Sequence, residues 1–470
     1  MINSSTIDLI KTFTKEEFSE FESFVKSEFF NTHKPVILCF EFLKKHYPDF
    51  DKDEFNKENL YEKIYPGKKY NDTNVRVNLS AILKLAESYL ALKNFRQNDF
   101  ESSLILAQDS YKRSLPKFEE RYLKNCEGIL SKRTFLDENY FYERFSLENT
   151  KTQQRKSEDQ YQYIGSIQVA NENLTYFYYS KLLRNYVLIL NEQSAVEVEY
   201  DLSSIKVVME FAKMYDFSKY PAIMLYMNLL KMFLDSDFDA YDEAKRIFME
   251  DGMDMDSGEK FNVYVYLTNF TFKKYIEFKN FDYLRDCLKV HLHQIENKVF
   301  GGKYLTYTIY TNLISMASRL EEFELAEELI HKYKPLLSPV NRESFYEYAL
   351  ARNYYLRGDF TKAMQIIIRT KPADIFYELT IKGMLLTIYY ELSYFENAFA
   401  LVNTYKHTVK SPLLKASDRT LFSTFIKLYA KLLKLNTSPD KSKKDDLQFL
   451  IEKENYFPHK AWMLEKLDSI

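Results

Sequence analysis

The sequence predicts an all-α chain: a small N-terminal helical module followed by an α-solenoid of helical hairpins. Three observations predict it. Nine Gly and eleven Pro in 470 residues supply few turns, so the regular elements must be long. Leu, Lys, Glu and Phe dominate and β-branched alternation is almost absent, a helical composition. Between Tyr304 and Lys410 one phrase recurs, as Phe323-Glu-Leu-Ala326-Glu-Glu-Leu-Ile330, Phe360-Thr-Lys-Ala363-Met-Gln-Ile-Ile367 and Phe395-Glu-Asn-Ala398-Phe-Ala-Leu-Val402.

Each phrase sets a small residue three positions after an aromatic and a bulky apolar residue four positions later. At about 3.6 residues per turn these share one helix face. Ala admits a neighbouring helix, and the ring and the aliphatic fill the space on either side. Another apolar-periodic run precedes each phrase, from Leu313 to Leu320, Ala349 to Leu356 and Leu385 to Leu392. Helix, short turn, helix, returning about every 35 to 40 residues, is the pattern of stacked hairpins.

Taken in order, residues 1–97 form the N-terminal module. Thr14-Lys-Glu-Glu17 is a capping box, and Phe18, Phe21, Phe24, Val25 and Phe29 make an apolar stripe behind it. Pro35 suits the first turn of a second helix, a third spans Lys57 to Ile64, and Tyr65-Pro66-Gly67 makes a turn. Asn71 or Asp72 can cap the next helix, to about Phe95. Residues 98–198 read as long helices leading into the array, with candidate turns at Lys132–Thr134, Lys151–Ser157 and Asn191–Ser194, and a solvated polar run from Asn149 to Asp159. Residues 199–435 carry the hairpins. Pro221 opens a helix ending near Asp235, and Tyr241-Asp-Glu-Ala244-Lys-Arg-Ile-Phe248 repeats the phrase. Tyr241, Phe281, Phe323, Phe360 and Phe395 follow at intervals of 40, 42, 37 and 35 residues, a degenerate array. Residues 436–470 hold a polar loop and two short helices with Phe449, Trp462 and Leu467, expected to cap the last repeat.

The unit from Ala351 to Ile367, with Tyr354, Gly358, Phe360 and Ala363 in order, resembles a tetratricopeptide repeat. Gly358 sits where the interhelical turn needs positive φ. The neighbouring units depart from the pattern: Glu321 and Ser393 stand in place of that Gly, and Ile314 and Leu386 in place of the small residue of the first helix. The resemblance implies a binding scaffold whose first helices line a concave groove for an unidentified protein or peptide. Its contact positions fall here at Phe345, Tyr348, Arg352, Tyr355 and Leu356, and on the neighbouring units at Ser315, Arg319, Thr387 and Tyr390. Clamp-type members hold an Asn where this chain has Arg352, and an Arg fork can take a carboxylate.

Charge and cysteines bound the class. A formal net charge of −3 with interspersed signs gives no field for nucleic acid or anionic membrane. Cys39, Cys126 and Cys287 are far apart and odd in number, which suits buried thiols in a reducing compartment. No basic region followed by an apolar run opens the chain, and the most apolar stretch, Pro221 to Leu234, is too short to span a bilayer. A cytoplasmic protein without membrane insertion is expected.

No catalytic, cofactor or metal site is expected. The loop Asp251 to Glu259 alternates carboxylates but lacks the Gly placement and terminal Glu of a calcium loop. His291 and His293 fall on different helix faces. The alternative function is transcription regulation. Leu60 to Gly67 followed by Asn74 to Lys84 resembles the helices of a winged helix-turn-helix, in which Lys68, Lys69, Arg76 and Lys84 would meet DNA. Acids balancing bases in that module, and the lack of an alternating wing strand, weigh against it.

Overall fold

In a computed structural model, residues 2, 4–153, 164–195, 198–250, 255–438, 442–454 and 456–469 are described. Among them are twenty-three α-helices and no strand; one isolated bridge pairs Leu305 with Leu337. The chain divides into two compact units, Met1–Tyr178 and Tyr179–Ile470.

The first unit holds α1 (Ser5–Ile10), α2 (Lys15–Lys26), α3 (Lys34–His46), α4 (Lys57–Ile64), α5 (Asp72–Gln97), α6 (Asp99–Lys112), α7 (Pro116–Leu130) and α8 (Glu138–Gln153). It also holds the start of α9 (Ser166–Ala195). The Thr14 capping box forms in full, Pro35 lies in the first turn of α3, and Asn71 caps α5. The α2 stripe then has to be buried. Phe21 meets Phe13 and Phe40 edge-on at 5.5 and 5.4 Å, and Phe18 stacks on Tyr47 at 3.9 Å. The long α5 is the spine that α1, α2, α3 and α4 all touch. Phe29 of the stripe is left exposed, because the helix has already ended at Lys26. A smaller core of Phe100, Ala107, Leu123, Cys126 and Leu147 joins α6, α7 and α8.

The second unit runs from the end of α9 through α10 (Ile205–Ala212), α11 (Pro221–Asp235), α12 (Phe238–Met249), α13 (Ser257–Phe278), α14 (Phe281–Glu296), α15 (Tyr307–Arg319) and α16 (Phe323–Tyr333). It continues with α17 (Arg342–Leu356), α18 (Phe360–Ile367), α19 (Ile375–Glu391), α20 (Phe395–Thr408), α21 (Ala416–Thr437), α22 (Lys444–Lys453) and α23 (Lys460–Asp468). The turn expected at Asn191–Ser194 is absent. With no Gly or Pro there to interrupt it, α9 carries straight on to Ala195. The candidate turn Lys151–Ser157, the run Asn149–Asp159 and the loops Asp251–Glu259 and Asn436–Lys444 lie partly outside the described residues.

Five consecutive helix pairs, α11–α12 to α19–α20, pack as hairpins, and each turns in the same way. Two residues before the second helix the backbone enters the left-handed region, at Ser236, Lys279, Glu321, Gly358 and Ser393, with φ between 54° and 83°. In the last three hairpins the following amide reaches back to close a Schellman motif: Glu322 donates to Ala317 O, Asp359 to Tyr354 O and Tyr394 to Tyr389 O, at 2.8–3.0 Å. Glu321 and Ser393 therefore adopt the conformation of Gly358 although neither is glycine. Beyond four of the five turns the small residue of the phrase is sealed: Ala244, Ala326, Ala363 and Ala398 are fully buried. The rings of Phe323, Phe360 and Phe395 are partly buried, while Phe281, whose unit has no Ala, is exposed.

Polar bonds stitch neighbouring hairpins. The fully buried Asn353 of α17 accepts from the Ser318 hydroxyl of α15 at 2.8 Å and donates to Phe323 O at 3.1 Å. The Tyr429 hydroxyl of α21 donates to Leu386 O of α19 at 2.7 Å. At the C-terminal end α22 and α23 share one core with α19, α20 and α21, contributing Leu447, Ile451, Met463 and Leu467, while Phe449 stays exposed.

Candidate functional site

The resemblance-derived contact positions lie on α15, α17 and α19. The N-terminal ends of these three helices gather four rings. Tyr377 of α19 stands 4.6 Å from Tyr307 of α15, and 5.1 and 5.6 Å from Phe345 and Tyr348 of α17; Tyr307 also stacks on Phe345 at 4.8 Å. One helical turn beyond Tyr348 comes Arg352. Among the described residues its guanidinium makes a single hydrogen bond, a long one of 3.3 Å from Nη1 to the Tyr348 hydroxyl, and its buried Nε has no partner. Among the described residues no carboxylate is within ion-pair distance of it. A partly buried cation without a counter-charge is uncommon, because desolvating it is costly.

The other wall comes from the end of the chain. His459 precedes α23 in a left-handed conformation, its ring 5.2 Å from that of Phe425 of α21. Gly383 of α19 makes room for it: a Cβ there would lie 3.4 Å from the His459 Nε2. Burial first, and then the Arg352 charge, push the His459 pKa down to about 4, so the ring is neutral near pH 7. Further along, Glu391 of α19 accepts from Trp462 Nε1 at 2.6 Å and pairs with Lys466 Nζ at 2.9 Å. Trp462 meets Tyr390 edge-on at 5.2 Å.

The expected contact residues are thus not all brought together. Phe345, Tyr348 and Arg352 come together around the aromatic cluster. Tyr355 is partly buried against Phe360, and Tyr390 is buried between Phe395 and Trp462, so Tyr390 borders the C-terminal helix. Thr387 is fully buried and donates to Met384 O, so it presents nothing at the surface. Arg319 and Leu356 are exposed at helix ends, away from the ring cluster, and Ser315 is partly buried. Tyr307, Tyr377, Glu391, His459 and Lys466 were not singled out by the sequence, which named Trp462 only as part of the expected C-terminal cap. Only the lone Trp offered a signal, since an indole N–H in a packed seam needs an acceptor.

Elsewhere, Lys68, Lys69, Arg76 and Lys84 of the helix-turn-helix reading are exposed, and Arg76 pairs with Asp72 at 2.6 Å. Among the described residues no strand follows to make a wing. Among the same residues, no three or more His, Cys, Asp or Glu are grouped to hold a metal ion, and no helix is long and apolar enough to cross a membrane. His291 is buried within 3.3 Å of Gln294 Oε1, whereas His293 bonds the Tyr264 hydroxyl at 2.7 Å. No protein-family model, curated protein or solved structure matches the chain.

Proposed function

We propose that this chain is a non-enzymatic, cytoplasmic scaffold whose hairpins stack as a tetratricopeptide-like solenoid and hold a protein or peptide through a carboxylate at Arg352. The observation that carries this reading is the lack, among the described residues, of a counter-charge for a partly buried guanidinium backed by four rings. A carboxylate arriving there meets a planar fork of donors and the Tyr348 hydroxyl, while neutral His459 adds no competing charge. The rings offer apolar area to the residues flanking that carboxylate. Five similar turns in succession support the solenoid. Three unpaired, buried thiols suit the reducing compartment.

The test is a peptide library presented twice, with free C-terminal carboxylates and as the C-terminal amides, read by fluorescence anisotropy against the full chain and its Arg352→Gln variant. A charge-assisted bond of about 1.5–3 kcal/mol corresponds to roughly 10- to 150-fold in affinity. Sequences that bind should lose that factor on amidation and again in the variant. Binding that ignores both changes overturns the proposal.

A further inference from the structure

We propose that a second surface, the groove between α20, α21 and α22, docks an acidic amphipathic helix of a partner protein. The groove encloses about 580 Å³. Its floor is apolar, with Val402, Leu428 and Leu450, and the ring of Phe399 stands 38 % exposed at its edge. Its rim is basic. Lys427, Lys431 and Lys434 stand at i, i+4 and i+7 on α21, one face of that helix, and Lys406 lines the groove from α20. All four are exposed, and among the described residues none makes an ion pair or a side-chain hydrogen bond.

That contrasts with the lysines that serve the fold, which carry carboxylate partners. Lys93 lies between Glu17 and Glu20, Lys245 between Asp242 and Asp286, and Lys466 beside Glu391. Among the described residues Glu454 is the single carboxylate lining the groove. The α21 lysines span about 10 Å at 1.5 Å per residue. A visiting helix with carboxylates at the same spacing matches them along its length, and its apolar face meets Phe399 and Leu450. Compact Lys charges over an apolar floor favour such a helix over a nucleic acid, which calls for forked Arg donors and a run of stacking rings.

This surface is separate from Arg352, so the two can be tested apart. The probe is a fluorescent 18-residue peptide, acetylated and amidated, with Glu at i, i+4 and i+7, Leu between them on one face and Ala elsewhere; its Glu→Gln analogue is the control. Anisotropy is read on the full chain, Lys427→Glu/Lys431→Glu and Arg352→Gln, each verified as folded by circular dichroism. We expect saturable binding of the Glu peptide, weakened at least tenfold by the charge reversal and by Glu→Gln, and unchanged in Arg352→Gln. Absence of binding, or equal binding to the reversed groove, overturns the proposal. So does tighter binding of a 20-base-pair DNA duplex or of phosphatidylserine vesicles that the same reversal abolishes.

Discussion

Replacing Glu321 by Gly should stabilise the second unit, and replacing Gly358 by Ala should destabilise it. Both residues hold the same left-handed turn position, at φ 60° and 83°. A left-handed conformation costs an L-residue about 1–2 kcal/mol, while Gly gives back about 0.5–1 kcal/mol in unfolded-state freedom. The net expectation for Glu321→Gly is a gain of about 0.5–1 kcal/mol, with a loss of similar size for Gly358→Ala. Contacts do not confuse the comparison. Among the described residues Glu321 is exposed and makes no side-chain bond, and a Cβ built on Gly358 meets nothing within 4 Å. Ser393→Gly repeats the experiment on the next hairpin, where the serine is exposed too. The assay is urea denaturation followed by circular dichroism, comparing midpoints at unchanged slope. In this two-unit chain the transition assigned to the second unit is the one to read. If Glu321→Gly loses more than 1 kcal/mol, or Gly358→Ala loses nothing, the turns are not held by backbone strain and the explanation fails.

Other outcomes follow from the same packing. Asn353→Ala strands the Phe323 carbonyl in a buried seam and should cost about 2 kcal/mol in the same titration, whereas Asn353→Asp should cost no less, because it buries a charge. Arg352→Met keeps the aliphatic stem and deletes the unpaired charge, so stability should hold or rise by about 1 kcal/mol; a loss above 2 kcal/mol would mean that a partner already neutralises the cation. The buried His291, pushed down to about 4 by desolvation, titrates near 6.5 once unfolded. The unfolded chain then binds more protons between those values, so stability should fall as pH drops from about 6.5 to 4, by at most roughly 3 kcal/mol from this ring. A His291→Asn variant whose pH slope in that window matches the parent would refute the assignment.

Local signals were legible where a residue type has one physical use. The Thr14 capping box, Pro35, the limits of α4 and the Pro221 start of α11 each follow from caps and proline chemistry. Glu321 and Ser393 look in sequence like departures from a glycine turn. The backbone turns there all the same, because the buried alanine and the Schellman bonds fix the geometry and the side chain only tolerates it. The candidate site was half legible. Phe345, Tyr348 and Arg352 share a face of α17 at helical spacing, so one helix was enough to place them. Tyr307, Tyr377 and His459 join them across long separations in the chain, which no periodicity reports. Thr387 fails as a surface position because its face of α19 is packed; this helix is apolar nearly all round, so sequence could not choose its outer side.

The only tryptophan of the chain sits in the seam that Glu391, Tyr390 and the C-terminal helix build. Its emission is therefore a built-in reporter, with no label to attach and no second indole to subtract. Undocking of the last helix moves that indole from a packed, hydrogen-bonded niche into water, and a red shift follows in real time. A visitor seated at Arg352 without disturbing the helix leaves the colour unchanged, so one cuvette tells whether the end of the chain is a fixed wall or a door.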